Sequence, residues 1–285
     1  MDKYTVFWQK KALRLRGNVI SLDEPKVVGV LNLTPDSFYS GSRFSSDRTL
    51  LEKAEEMLNH GAFMLDMGAY SSRPGAEHIS DEEETRRLIP SLKRLVAEFP
   101  DAYVSVDTFR AGIARKAADQ GAAAINDISG GNLDPDMFAT VASLDIAYIL
   151  MHMKGDPRSM TGLNEYDDLI PDLVQYFHKK LEILTNLGVK DIILDPGFGL
   201  FAKNISQNFT LLKELSGFGI FEHPVLAGLS RKSLIYKTLD VSAEEALTGT
   251  IALNMVALQQ GVAFLRVHDV REAVQTVKLF NALYF

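Results

Sequence analysis

Eight polar residues stand where apolar runs stop, and their types suit recognition of a nitrogen-rich ring and an anion. Asp107 ends "YVSVD", Asn126 follows "AAI", and Asp195 ends "IILD". A carboxylate accepts two parallel N–H bonds from an amino-pyrimidine edge, and an asparagine both donates and accepts. That set fits a guanine-like heterocycle such as a pterin. Lys232 in "GLSRKSL" and Arg266 and His268 in "FLRVHDV" supply cations, together with Arg231. Lysine acts as a point charge and arginine as a forked donor to phosphate oxygens. Burying such charges without anionic partners costs several kcal/mol. Asn32 offers an amide oxygen to Mg²⁺, which favours oxygen donors and holds substrate phosphates. Plainer roles stay open for each residue. The cations can pair with acids at other strand ends, and Asp or Asn can bond loop backbone.

The elements that must position these residues are legible as short apolar runs separated by amphipathic stretches. The runs cover 27–33, 63–68, 103–108, 123–128, 147–152, 192–197, 224–230 and 264–268. Near-continuous apolar strands belong to a parallel sheet covered on both faces. Helical patterns cover 47–60, 81–98, 166–187, 242–260 and 269–281, with Pro90 interrupting the second. Eight strands alternating with helices predict an α/β chain closed as a (β/α)8 barrel. All strand ends then open on one face, where such barrels build their sites, and the last two strands commonly hold phosphate. A doubly wound open sheet is the rival, weakened because no Gly-x-Gly-x-x-Gly turn follows the first strand. Residues 1–22 form an extension, with Tyr4–Trp8 and Ala12–Leu15 expected as a hairpin across the barrel bottom. No linker or repeat divides the chain, so residues 1–285 are expected to form a single domain.

Composition narrows the partners. The 285 residues are 46% hydrophobic and carry a formal net charge of −7. An acidic chain lacks the broad basic face of a general nucleic-acid or membrane-surface binder, so an anion site must be a local cluster. There is no cysteine, hence no disulfide or thiolate metal site. The six histidines are dispersed, and no histidine metal cluster is apparent. The N-terminal stretch lacks the apolar core of a secretory signal, and no apolar run reaches membrane-spanning length. A cytoplasmic protein is expected.

In order along the chain, "GVLNLTPDSFYSGSRF", "LDMGAYSSRPGA", "SVDTFR", "INDISGG", "ILMHMKG", "LDPGFG", "GLSRKSLI" and "RVHDV" resemble the successive signatures of the dihydropteroate synthase family, from about residue 29 to 270. The resemblance implies a homodimeric (β/α)8 barrel. Such enzymes join 6-hydroxymethyl-7,8-dihydropterin diphosphate to 4-aminobenzoate, releasing diphosphate, and sulfonamides compete for the aminobenzoate position. It assigns the pterin to Asp107, Asn126, Asp195 and Lys232, and the diphosphate to Asn32, Arg266 and His268, with Mg²⁺ near Asn32. Loops 34–44 and 70–76 would close over the site. Phe38, Ser72, Arg73 and Pro74 would line the aminobenzoate pocket, opposite Phe198, Lys232 and Ser233. Arg266, His268, Lys232 and Arg73 are the expected catalytic set.

Three departures from the family pattern stand out. Tyr70 replaces an acid in the second loop, Ser40 stands where an Asp is frequent, and the chain after "DPGFG" is one residue longer near Leu200 and Phe201. The expected chemistry is dissociative substitution at the exocyclic CH₂ of the pterin, with the departing diphosphate stabilised by cations. Two other readings remain: a methyltransferase moving a methyl group from methyltetrahydrofolate to a corrinoid protein, and a pterin-binding paralogue without turnover.

Overall fold

The computed structural model describes residues 12–33, 43–70, 78–156, 162–199 and 202–285. Among them, eight parallel strands form the sheet, in the order β8-β7-β6-β5-β4-β3-β10-β9. These are β3 (Lys26–Asn32), β4 (Met64–Gly68), β5 (Tyr103–Asp107), β6 (Ala124–Asp127), β7 (Ala147–Met151), β8 (Ile192–Asp195), β9 (Leu226–Ala227) and β10 (Phe264–Val267). A parallel bridge between Leu194 and Val225 joins the two edges, so the sheet closes on itself. The (β/α)8 barrel expected from the apolar runs is present.

The described helices are α1 (Arg43–Asn59), α2 (Asp81–Glu98), α3 (Ala111–Asp119), α4 (Met137–Leu144), α5 (Leu169–Asn186), α6 (Ile205–Lys213), α7 (Ser233–Leu239), α8 (Leu247–Gln259) and α9 (Val270–Tyr284). Ser80 caps α2 by accepting from Glu83 N, and four acidic residues fill its first turn. Pro90 lies within this helix without ending it.

Alternation along the strands sorts side chains between two cores. Outward residues such as Leu65, Val106, Ile125, Tyr148 and Leu194 pack under the helices in the main cluster. Inward residues Val28, Met64, Ala124, Ile149, Ile193, Leu226 and Phe264 fill the lower lumen. Counting on in steps of two brings Asn32, Asp66, Asp107, Asn126, Asp195 and Arg266 to the inner face at the upper end.

An antiparallel hairpin seals the bottom. Its strands are β1 (Ala12–Leu15) and β2 (Asn18–Ser21), and Leu13 and Leu15 join the lower-lumen cluster. The hairpin expected in this region is present, between strands that the described residues define. Among the described residues Ala12–Leu15 pairs with Asn18–Ser21, and Tyr4–Trp8 lie outside those residues. The reason is a two-residue turn at Arg16 and Gly17, both with positive φ (47° and 80°), the backbone of a tight hairpin. Arg14 anchors the hairpin by donating its N–H to Asp191 Oδ1 at 3.0 Å.

Candidate active site

The upper lumen is a polar layer resting on an apolar floor. Register aligns Asn32 with Gly68, Gly68 with Asp107, and Asp107 with Asn126, so one row crosses four strands. Gly68 leaves the room that Asp107 needs, since a Cβ there would stand 3.1 Å from Asp107 Cβ. One layer below, Asp66 aligns with Ser105.

Asp66 is the hub of this layer, a role not recognised from sequence. Its buried carboxylate accepts from Ser105 Oγ (2.6 Å), Asn126 Nδ2 (3.0 Å) and Arg266 Nε (2.6 Å). The second arm of Arg266 reaches Asp107 Oδ2 at 3.2 Å. Arg266 therefore bridges two carboxylates, and the plainer pairing role is realised alongside any ligand role. Burial opposes its charge, yet Asp66 and Asp107 outweigh that and hold the guanidinium above its ordinary pKa. Asp107 is pushed up to about 8, first by burial and then by the neighbouring Asp66 charge. Asn126 Oδ1 is buried and has no hydrogen-bond partner among the described residues.

Asp195 sits in the same mouth at the end of β8. Its Oδ1 accepts from Gly197 N at 2.8 Å, and burial raises its pKa while Lys232 pulls it back. Lys232 donates to Phe198 O at 2.5 Å, and burial pushes its ammonium down to about 8. The Phe198 ring lies fully buried in the main cluster, and Ser233 is buried at the start of α7. His268 is exposed, with Nδ1 3.1 Å from Ser230 Oγ.

Not every expected cation joins this group. Arg231 turns away, its guanidinium paired with Asp269 at 2.9 and 2.8 Å and its NH1 on Ala243 O at 3.0 Å. Asp127 also points out of the lumen. It accepts from Ser129 N, Gly131 N and Tyr148 Oη, so it shapes a loop beneath the helices. The period of two could have separated Asn126 from Asp127 in the sequence. Phe38, Ser72, Arg73 and Pro74 lie outside the described residues, as do Ser40, Leu200 and Phe201.

Tyr70, the departure in the second loop, is described. Its hydroxyl meets His78 Nδ1 at 3.1 Å, its ring edge meets Phe109, and the Arg110 guanidinium lies 5.7 Å from the ring centroid. Phe109, Ile128, Met151 and Met153 form a small apolar cluster apart from the main core, with Tyr70 packed on it. Such a surface suits the face of a flat ring.

No group of three or more His, Cys, Asp or Glu residues among the described residues could hold a metal. Asn32, half-buried at the end of β3, offers one neutral oxygen. That donor fits a Mg²⁺ whose other ligands are phosphate oxygens and water, and does not make a protein cage. Two concavities of about 320 and 550 Å³ lie on the outer wall and lower rim, lined by residues such as Arg94 and Tyr103, and contain none of the mouth residues.

The pattern defining the pterin binding enzyme family matches residues 28–268. The dihydropteroate synthase of Escherichia coli K12 is 38% identical over 269 residues, covering 94% of each chain. Two solved structures superpose with a TM-score of 0.89. One is the Yersinia pestis dihydropteroate synthase in a sulfonamide drug complex, 37% identical and covering 95% of this chain and 98% of that one. The other is the Xanthomonas albilineans enzyme with 4-aminobenzoic acid, 34% identical and covering 96% and 98%. With its barrel closed around a shared polar mouth and its sequence matched almost end to end, this chain belongs to the dihydropteroate synthases, transferases of the pterin binding enzyme family.

Proposed function

We propose that the mouth joins 6-hydroxymethyl-7,8-dihydropterin diphosphate to 4-aminobenzoate, with a division of labour among the residues described. Asp107, Asn126, Asp195 and Lys232 bind the pterin ring. The observation carrying this assignment is Asn126 Oδ1, a buried acceptor without a partner among the described residues, set in the same row as Asp107. Buried acceptors are rarely left unsatisfied, and a ring N–H or amino group would satisfy this one.

Asn32, Arg266 and His268 bind the diphosphate. Mg²⁺ near Asn32, when bound, neutralises charge that the leaving group gains as the C–O bond breaks. Arg266 and His268 gain interaction energy in that same transition state, which lowers the barrier. The bond from the exocyclic carbon to oxygen breaks with its electron pair on diphosphate, and the ring delocalises the positive charge. The aromatic amine then forms the C–N bond and gives up a proton. This amine is nucleophilic at neutral pH, so no strong base is required. Lys232 and Arg73 complete the catalytic set. Phe38, Ser72, Arg73, Pro74, Phe198 and Ser233 form the aminobenzoate wall, where sulfonamides compete.

The chain acts as one domain, in the cytoplasm and as a homodimer. No described helix is long and apolar enough to cross a membrane. Exposed Leu279 and Leu283 on the last turns of α9, with Phe285 just after it, offer apolar surface for a partner. The deciding assay mixes the pterin diphosphate, 4-aminobenzoate and Mg²⁺ with purified protein and measures diphosphate. Release that depends on aminobenzoate is expected, and folded protein that gives none overturns the reading.

A further inference from the structure

Lys203 stands in no motif role assigned above, yet its ammonium is inside the protein. The residue is only 2% exposed and lies immediately before Asn204, which caps α6 in a reciprocal box with Gln207. From this fixed point the side chain reaches back into the turn after β8. Its Nζ donates to Gly197 O at 3.1 Å and lies 3.0 Å from His152 Nδ1. Burial keeps His152 neutral, well below its ordinary pKa, so its Nδ1 can accept.

The turn it enters is tightly determined. Gly197 has φ 74°, and a Cβ there would stand 2.2 Å from His152 O. Gly197 N–H holds Asp195 Oδ1 at 2.8 Å, while the adjoining Phe198 carbonyl holds Lys232 Nζ at 2.5 Å. The backbone N–H of His152 donates to Asp195 O at 2.9 Å. Two lysines thus grip successive carbonyls of one turn, one on the ligand side and one behind it. A lysine is costly to bury. A hydrophobic side chain of the same length would fill this space more cheaply, so the ammonium needs a purpose beyond packing.

We propose that Lys203 is a positioning residue for the pterin site: by holding the Gly197 carbonyl it fixes the 197–198 peptide, which joins the 196–197 peptide whose N–H holds the Asp195 carboxylate to the 198–199 peptide whose carbonyl takes Lys232. The inference depends on Asp195 and Lys232 binding the pterin. It adds a residue that follows the extra position near Leu200 and Phe201 in the sequence to the determinants of that pocket.

The test is Lys203→Met, which keeps length and loses the donors. Calorimetry with 6-hydroxymethylpterin at about pH 6, where Lys203, drawn down to about 7 by burial, keeps its proton, is expected to show binding weakened roughly 10- to 100-fold, the range for a lost bond to a charged group. The KM for the pterin diphosphate should rise in step, while kcat at saturation changes by less than about threefold. A packing role alone would lower the melting temperature and leave the affinity of folded protein unchanged, and that result overturns the proposal. If Lys203→Met does not fold, His152→Leu takes its place. It leaves Lys203 without the ring acceptor and should weaken binding to a smaller extent, with recovery in His152→Gln; wild-type affinity in His152→Leu overturns the proposal. Asp195→Asn measured in parallel separates the two levels. Unchanged pterin binding there refutes the site assignment itself, whereas loss there with none in a folded Lys203→Met refutes only the role of Lys203.

Discussion

Replacing Asp66 by asparagine keeps the outline of the side chain and removes its charge. The wild-type carboxylate accepts from Ser105 Oγ, Asn126 Nδ2 and Arg266 Nε, and the side chain is fully buried. An amide has one acceptor oxygen, so its NH₂ must face at least one of these donors. Removing one partner of a buried ion pair costs about 3–5 kcal/mol. Arg266 keeps Asp107 at 3.2 Å, which places the expected loss near 3 kcal/mol, or about 6 °C in melting temperature. A second effect follows through Asp107, whose carboxyl stands at about 8 through burial and then the Asp66 charge. Folded wild-type protein retains a proton there that the unfolded chain releases, so this group makes stability fall as pH rises toward 8. A pterin amino group needs the carboxylate, so wild-type affinity should improve over the same rise, opposed by Lys232, whose charge is half lost at about 8. In Asp66→Asn the Asp107 pKa drops and the midpoint of binding moves to lower pH. Calorimetry with 6-hydroxymethylpterin between about pH 6 and about pH 9 reads the midpoint, and buffers of different ionisation enthalpy read the released proton. A midpoint that stays or moves upward refutes the coupling, as does an unchanged melting temperature.

Arg266→Ala should lower kcat by roughly 100- to 1,000-fold in steady-state assays while pterin affinity changes far less; weakened binding with intact turnover contradicts its role at the diphosphate. Glu84→Gln removes the buried partner of Arg110, which also bonds Asp81 and Ile79 O. The loss should approach about 3 kcal/mol in chemical denaturation, with kcat close to wild type, and a fully stable variant refutes this. Leu13→Ala in the bottom hairpin, where the side chain is 1% exposed, should cost about 2–5 kcal/mol. An unchanged denaturation midpoint would mean that the hairpin does not help to close the core.

The eight strands were readable because each is an apolar run that a parallel sheet buries on both faces. α2 was readable to the residue, since acids fill its first turn and Leu88, Leu92 and Leu95 are spaced for one buried face. Shorter helices such as α3, α4, α6 and α7 escaped notice, because seven to nine residues span too few turns to display a period. The Arg16-Gly17 turn is a local signal that points to Asn18–Ser21 as a pairing strand for Ala12–Leu15. At the mouth, residue types at strand ends revealed Asp107, Asn126, Asp195, Lys232 and Arg266. They did not reveal that Asp66 organises them, because that depends on which carboxylates lie within reach of one guanidinium. Arg231 resembled its neighbour Lys232 in sequence and differs from it only through its positive φ and the nearby Asp269. Lys203 gave no signal, since nothing in a run such as "FAKN" says that its ammonium folds back 3.0 Å from a histidine that follows β7.

The floor of the barrel directs traffic. With Leu13 and Leu15 clustered with Phe264 and Ile193, the described residues floor the lower lumen, so on the proposed assignment a pterin reaches Asp195 by way of the rim. On that assignment the floor also fixes the way out, and the joined product leaves past the side chains that held the diphosphate.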